Sequence, residues 1–349
     1  MKIGIITFHR ADNAGAVLQA YALQTYISSK FMLPTEIVDY RSAYIEQTRF
    51  AKLENKKLKT VCKWLLMCGY YAIKRHLFDR FRNQHLKLSK QVYFKETIAR
   101  SNEAYDVFVA GSDQVWNLGC SGNDETYFLD FVAAGKKIWS YAASLGTYRY
   151  DEKESIRLLP LLQRFDGISV REASAITELK KMEIKTASVH LDPVFLLSKE
   201  QWEQVMSNRL FLQKYIFVYL IQPDVNVMKA AMEYAEKNHC VIISNKKSLE
   251  FMTHCSPADF VSWIYHAECV FTNSFHGTAF SLIFQKLLAA DVELLNGGIN
   301  NRIMDLLIAV DATQCILNKE TNQTDRIEDL EKLCNQQKIA AEYLERILR

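Results

Sequence analysis

Apolar runs alternate along the chain with stretches whose apolar side chains recur every three or four positions, and this rhythm sets the fold class. Lys2–Phe8 is a continuous apolar run, the mark of a parallel strand buried on both faces. A polar loop over His9–Gly15 follows. Val17, Leu18, Tyr21, Ala22 and Ile27 then keep helical spacing, and Thr35–Tyr40 reads as a second strand. Strand, loop, helix and strand make a βαβ unit, which turns right-handed and carries its ligand loops at the carboxyl ends of its strands.

The same rhythm continues. Asp106–Ala110, Lys137–Ala142, Gly167–Val170 and Ala187–Val194 read as strands, with helices through Leu158–Phe165 and up to Met182 between them. After a passage at Ser198–Gln213 a second set begins. Its strands are Tyr215–Ile221, Cys240–Ser244, Val270–Thr272 and Leu287–Asp291; its helices cover Asp224–Asn238 and Pro257–Ala267, then open near His276 and at Asn301. Asp325–Arg349 predicts a long charged amphipathic helix, which either crosses back to brace the first half or simply ends the chain. The pattern predicts an α/β protein of two Rossmann-like, doubly wound domains facing across a cleft. Residues 1–197 form the first, 198–322 the second, and 323–349 the terminal helix. A chain of 349 residues has the length for two such domains.

Composition changes this picture little. A net charge of +3 is too small to imply general affinity for polyanions. The cysteines form no ladder of CxxC pairs and have no histidines at zinc-ligand spacing, so reduced, buried thiols are expected and no metal. The opening MKIGIITF reads as a strand, not as the charged head of a signal peptide. The longest apolar run, Trp64–Ile73, falls far short of the roughly 20 residues that span a bilayer. A cytoplasmic protein is expected.

One stretch departs from this background. Lysine or arginine recurs at positions 52, 56, 57, 59, 63, 74, 75, 80, 82, 87 and 90, against only Glu54 and Asp79. Trp64, Leu65, Tyr70, Tyr71, Leu77, Phe78 and Phe81 are interleaved with them. Two readings stay open for this basic helical insertion at about 52–90. It is a pair of helices lying on an anionic membrane surface, aromatic side down, or a solvated insertion whose aromatics pack on the domain. No recognised nucleic-acid-binding motif accompanies it.

Candidate chemistry gathers at strand ends. Val270–Phe284 predicts a strand, a tight corner and a helix start, which sets Asn273, Ser274, His276 and Thr278 beside unpaired first-turn amides. Such a place attracts anions. His276 is a candidate proton donor; the plainer alternative is a histidine capping its own helix. Asp106–Ala110 runs into GSDQVWN, where Gly111 allows a close turn. Asp113, Trp116 and Asn117 then offer the carboxylate, ring face and amide that suit a sugar, unless Asp113 merely caps a short helix. Arg171 closes the next strand and suits a bidentate hold on carboxylate or phosphate, unless Glu172 neutralises it in a plain ion pair. The loop Asp12-Asn13-Ala14-Gly15 lacks a GxGxxG fingerprint, so no dinucleotide is indicated, yet it offers amides and the Asn13 side chain to a ligand.

The segments NAGAVLQAYALQ, FVAGSDQVWN, WSYAASLG, ISVREASA, LDPVF and CVFTNSFHGTAFSLIF, in this order between positions 13 and 284, resemble the polysaccharide pyruvyl transferases. The resemblance implies an architecture like the GT-B glycosyltransferases. It also implies transfer of pyruvate from phosphoenolpyruvate to two hydroxyls of a sugar in a capsule or exopolysaccharide precursor, giving a cyclic ketal without nucleotide, cofactor or metal. On this reading Arg171, Asn273, Ser274, Gly277 and Arg302 hold the donor, and Asn13, Gly15, Trp116 and Asn117 hold the acceptor. His276 acts as general acid or stabilises the departing phosphate, and Asp113 orients or deprotonates the sugar hydroxyl. The two come from opposite halves, so closure of the cleft would assemble the site. Many members of the family place an arginine two positions before the motif histidine, where this chain has Ser274. Arg302, Lys246 or Lys286 would then have to supply the cation, or donor binding differs. The basic, aromatic stretch suggests a lipid-linked oligosaccharide as acceptor, at the inner face of the membrane. Two other functions suit the same architecture: a glycosyltransferase that releases nucleotide from a nucleotide sugar, and a carbohydrate-binding protein indifferent to phosphoenolpyruvate.

Overall fold

The computed structural model describes residues 1–53, 58–293, 300–318, 324–327 and 329–348, with the backbone alone at residues 58–60 and 63. The chain divides into two units, Met1–Leu196 together with Ala340–Arg349, and Leu197–Ile339. The boundary expected at 322–323 lies outside the described residues.

The first unit is built on a parallel sheet of β1 (Ile3–Ile6), β2 (Thr35–Tyr40), β3 (Leu88–Tyr93), β4 (Val107–Ala110) and β5 (Lys137–Ser140), in the order β3-β2-β1-β4-β5. Ile3 pairs with Thr35 on one side and Val107 on the other. β6 (Ile168–Val170) and β7 (Ala187–Val189) form a parallel pair, and the bridges Trp139–Gly167 and Ala143–Val170 lay β6 beside the end of β5.

Burial on both faces explains why these strands read as apolar runs. Ile3, Ile5, Ile37, Val107 and Val109 pack on one side of the sheet with Ala20, Leu23 and Ile27 of the Ala14–Phe31 helix. Ile6, Val38, Tyr40, Phe108, Ala110 and Ile138 fill a separate core. The helix expected over 325–349 begins at Glu331 and ends at Leu348. Its Ala340, Tyr343, Leu344, Ile347 and Leu348 complete the first of these cores. The Tyr343 hydroxyl donates to the Ser140 carbonyl at 3.0 Å, and its ring lies 4.4 Å from that of His190.

The basic stretch is corrected by the structure. In place of a helix pair it holds, among the described residues, one helix, Leu58–His85, followed by β3 on the sheet edge beyond β2. Arg82 is not a surface charge but fully buried. Its Nη2 donates to Asp12 at 2.6 Å and to Asp79 at 2.8 Å, while Nη1 reaches the carbonyls of His9 and Ala11 at 3.3 Å. Arg49 adds contacts to Asp12 at 3.2 Å and Asp79 at 2.7 Å. The polar loop after β1 is thereby lashed to the helix by charge-assisted hydrogen bonds.

The second unit carries β8 (Tyr215–Tyr219), β9 (Val241–Ser244), β10 (Cys269–Thr272) and β11 (Leu287–Ala290), parallel, in the order β11-β10-β8-β9. Ile216, Val218, Phe271 and Ala289 pack with Val227, Ala230 and Ala231 of the Val225–Asn238 helix. Phe217 lies within ring contact of Phe251, Phe260 and Trp263. In both sheets the chain starts at a central strand and winds outward in two directions. The strand order therefore reverses between β1 and β4 in one unit and between β8 and β10 in the other, the places where open α/β sheets take ligands.

Candidate active-site residues at the two switch points

Each switch point is formed by the loops that leave its two strands. In the first unit Gly111 takes φ 117°, and a Cβ there would stand 2.3 Å from the Tyr141 carbonyl oxygen. Only glycine fits. Asp113, two residues on, adopts φ 71°, a left-handed conformation that Asp tolerates better than most side chains. Gln19 clamps the strand ends together. Its Oε1 accepts from the Ser112 amide at 3.0 Å and its Nε2 donates to Thr7 Oγ1 at 2.8 Å.

Arg171 follows β6 and is buried among carboxylates. Its Nη1 donates to Asp192 at 2.7 Å, Nη2 stands 3.6 Å from Asp113, and Nε 4.0 Å from Glu172. Burial alone would lower the pKa of the guanidinium, but Asp192, Asp113 and Glu172 outweigh it and hold the value above its ordinary level. The ion pair weighed for Glu172 is thus joined by two further carboxylates, Asp192 and Asp113, around the guanidinium expected to hold an anion. Glu172 is fixed chiefly by other donors, for its Oε1 accepts from Ser144 Oγ and from the amides of Leu145 and Gly146. Asp113 keeps part of its carboxylate open, 13% of the side chain against 1% for Arg171.

The acceptor residues divide. Asn13 is exposed and caps the Ala14–Phe31 helix through a bond from the Ala16 amide at 3.3 Å; Gly15 lies buried in the first turn of that helix. Trp116 has no exposed surface. Its ring stacks on Phe128, meets the edge of Phe165, and donates from Nε1 to the Tyr127 carbonyl at 3.1 Å. It is a core residue and offers no face to a sugar. Asn117, not Asp113, caps the short Leu118–Ser121 helix, and its Nδ2 donates to Gln114 at 3.0 Å, so this amide is engaged within its own loop.

In the second unit Ser274 caps the Phe275–Ile283 helix, its Oγ accepting from the Gly277 amide at 3.3 Å. His276 is the second residue of that helix and does not cap it. Gly277 is a packing requirement, because a Cβ there would meet Thr272 Oγ1 at 2.5 Å. Thr272 Oγ1 in turn accepts from the Ser274 amide at 3.0 Å and donates to the Tyr219 carbonyl at 2.6 Å. Asn273 ties the two switch-point loops together: Oδ1 accepts from the Ile221 amide at 2.8 Å and Nδ2 donates to the Gln222 carbonyl at 3.1 Å. Its side chain serves the scaffold.

The three candidate cations separate by sheet polarity. Lys286 precedes β11 and donates to the Tyr265 carbonyl at 3.1 Å, which puts it at the amino end of the strands, opposite His276. Arg302 sits in the first turn of the Asn301–Ala309 helix, after β11, on the carboxyl side. Lys246 follows β9 on that same side, and its Nζ reaches the Ile221 carbonyl at 3.3 Å. Partial burial lowers its pKa. Asp192, Gln19 and the placing of Lys246 escaped the sequence reading. LDPVF and NAGAVLQAYALQ held the first two, but what Asp192 and Gln19 contact lies far away along the chain.

No curated protein matches the chain. Among solved structures it is similar over its whole length to UDP-N-acetylglucosamine 2-epimerase from Rickettsia bellii, with 11% identity, 96% of that chain covered and a TM-score of 0.45. The UDP-GlcNAc 2-epimerase of Neisseria meningitidis bound to UDP-GlcNAc gives 10% identity and a TM-score of 0.47, over 99% of this chain and 100% of that one. UGT2 of Phytolacca americana, complexed with UDP-2fluoro-glucose and pterostilbene, gives 9% and 0.37, over 99% and 94%. The architecture itself rests on the two strand orders. The family model of polysaccharide pyruvyl transferase matches residues 13–286, a span that takes in both switch points, and the chain belongs to that family.

Proposed function

We propose that the protein moves pyruvate from phosphoenolpyruvate to two hydroxyls of a sugar in a polysaccharide precursor, forming a cyclic ketal. The observation that carries this reading is the helix start at Ser274–Gly277, set at a switch point with His276 in its first turn. A doubly ionised enol ester is drawn to such a place by the helix dipole, with Lys246 and Arg302 on the same side of the sheet.

The chemistry balances with these groups. His276 gives a proton to the methylene carbon of the donor, and positive charge develops on the neighbouring carbon. One sugar hydroxyl adds there and yields its proton to Asp113. The carbon–oxygen bond to phosphate then breaks, and the second hydroxyl closes the ring. Two carbon–oxygen bonds form and one breaks; of the two hydroxyl protons lost, one is balanced by the new methyl group and one by the phosphate. No oxidant or reductant is consumed. Arg171 and Asp192 position the Asp113 carboxylate, and Asn13 offers its exposed amide to the acceptor. The acceptor sugar is carried on a lipid.

The test is incubation with phosphoenolpyruvate and a panel of lipid-linked and synthetic glycosides. Phosphate release together with a mass gain matching a pyruvate ketal is expected. Release of nucleotide from a nucleotide sugar, with no turnover of phosphoenolpyruvate, would overturn the reading.

A further inference from the structure

The Leu58–His85 helix is apolar on the wrong side for a soluble protein. Its inner face carries Phe78, Phe81 and Arg82, all buried. The opposite face carries Leu65, Leu66, Gly69, Ala72 and Ile73, whose spacing makes one stripe. Leu66 is 77% exposed, Leu65 58% and Ile73 47%, and open space surrounds Gly69. The segment before the helix widens the patch. Phe50 is exposed with the Arg75 guanidinium 4.4 Å over its ring, and Trp64 donates to the Ala51 carbonyl at 3.2 Å. Solvent-facing helix surface is ordinarily polar, and contiguous exposed apolar side chains mark a contact surface.

Charge selects what covers it. The helix's described basic side chains outside its buried face include Lys74, Arg75 and Arg80 against the single acid Asp79, and Asp79 is bound to Arg49 and the buried Arg82. A second copy would set like charge against like. A bilayer with anionic headgroups answers the apolar stripe and the basic surplus together. Trp64, Tyr70 and Tyr71, half-buried along the same turns, are the amphipathic residue types that settle at headgroup level. We propose that the amino-terminal half of this helix lies in the plane of an anionic phospholipid surface, with Leu65, Leu66 and Ile73 among the upper acyl segments. It lies on the membrane; among the described residues no helix is long and apolar enough to cross one. Arg82 and Asp12 tie this helix to the loop that carries Asn13, so docking would hold an acceptor loop near the surface where a lipid-borne sugar is presented. That usefulness rests on the proposed function, whereas the docking itself does not.

The full-length protein is sedimented with vesicles of phosphatidylcholine plus phosphatidylglycerol at low salt, without donor or acceptor. Wild type is expected to bind these and not pure phosphatidylcholine vesicles, and to be released as salt rises. The double variant Leu65→Glu/Leu66→Glu should bind roughly tenfold or more weakly with an unchanged thermal midpoint. A wild type that stays in the supernatant, or a double variant that binds equally well, overturns the proposal. A wild-type dimer that the double variant dissolves also overturns it, since a second copy would then cover the stripe. Phosphate release with a soluble glycoside, measured in parallel, should be the same in both proteins, so failure of the transfer reading is seen separately from failure of docking.

Discussion

The two switch points use opposite electrostatics. At the β1/β4 point a buried guanidinium is surrounded by Asp113, Asp192 and Glu172, and the polar groups are held by ion pairs and charge-assisted bonds. At the β8/β10 point the corner is fixed by neutral side chains, Thr272, Asn273 and Ser274, bonded to backbone, and its positive character comes from a helix start. On the proposed function the first arrangement, which sets the Asp113 carboxylate beside Arg171, suits the hydroxyl-activating half of a transfer. On the proposed function the second, with a helix start at its corner, suits the donor half.

Four substitutions sharpen or break this contrast. His276→Ala should lower transfer roughly 10²–10⁴-fold with an unchanged thermal midpoint; full activity would remove the proton donor from the neutral corner. Arg171→Ala should cost roughly 3–5 kcal/mol in denaturant unfolding, because it strands buried carboxylates. A protein of normal stability but weakened donor affinity would instead make Arg171 the donor's anion clamp. His190, buried beside Tyr343, has its pKa lowered to about 4, by burial first and then by Arg346. A base depressed from an unfolded value of about 6.5 favours the fold fully above that value and loses the contribution as pH falls toward 4. His190→Gln should flatten the stability profile across that window by roughly 3 kcal/mol, read from unfolding curves at a series of pH values. Lys246→Gln should raise the donor KM about fivefold with little change in kcat, the worth of roughly 1 kcal/mol from a largely exposed charge; an unchanged KM would leave Arg302 as the remaining cation.

The frame was legible because parallel strands covered on both faces leave nearly unbroken apolar words, as at Thr35–Tyr40, where the expected and observed bounds coincide. β3 was not, because LSKQVY sits at a sheet edge where Ser89 and Val92 keep different company from Lys90 and Gln91, and it follows a basic helix. The strand expected over Ala187–Val194 stops at Val189, and the chain beyond it is spent on Asp192, whose Oδ1 accepts from the Val194 amide at 3.1 Å. The candidate residues were found by position, since each follows a strand, but their roles depended on partners far along the chain. Nothing near Arg171 announces Asp113. Trp116 looked like a loop aromatic because the loop folds inward, a tertiary outcome that local pattern does not carry. Arg82 misled for the same reason, its carboxylate Asp12 lying in a different loop.

The residues from Ala340 to Leu348 have a consequence for biogenesis. They seal a core that begins with Ile3 and Ile5, so a ribosome that has delivered the first 196 residues has not delivered the material needed to close that unit. The emerging half must wait through the synthesis of the whole second unit with one side of its sheet only partly covered, by the Ala14–Phe31 helix. In that interval it is a client for chaperones, and a chain released early would be prone to aggregate rather than to persist as an independent domain.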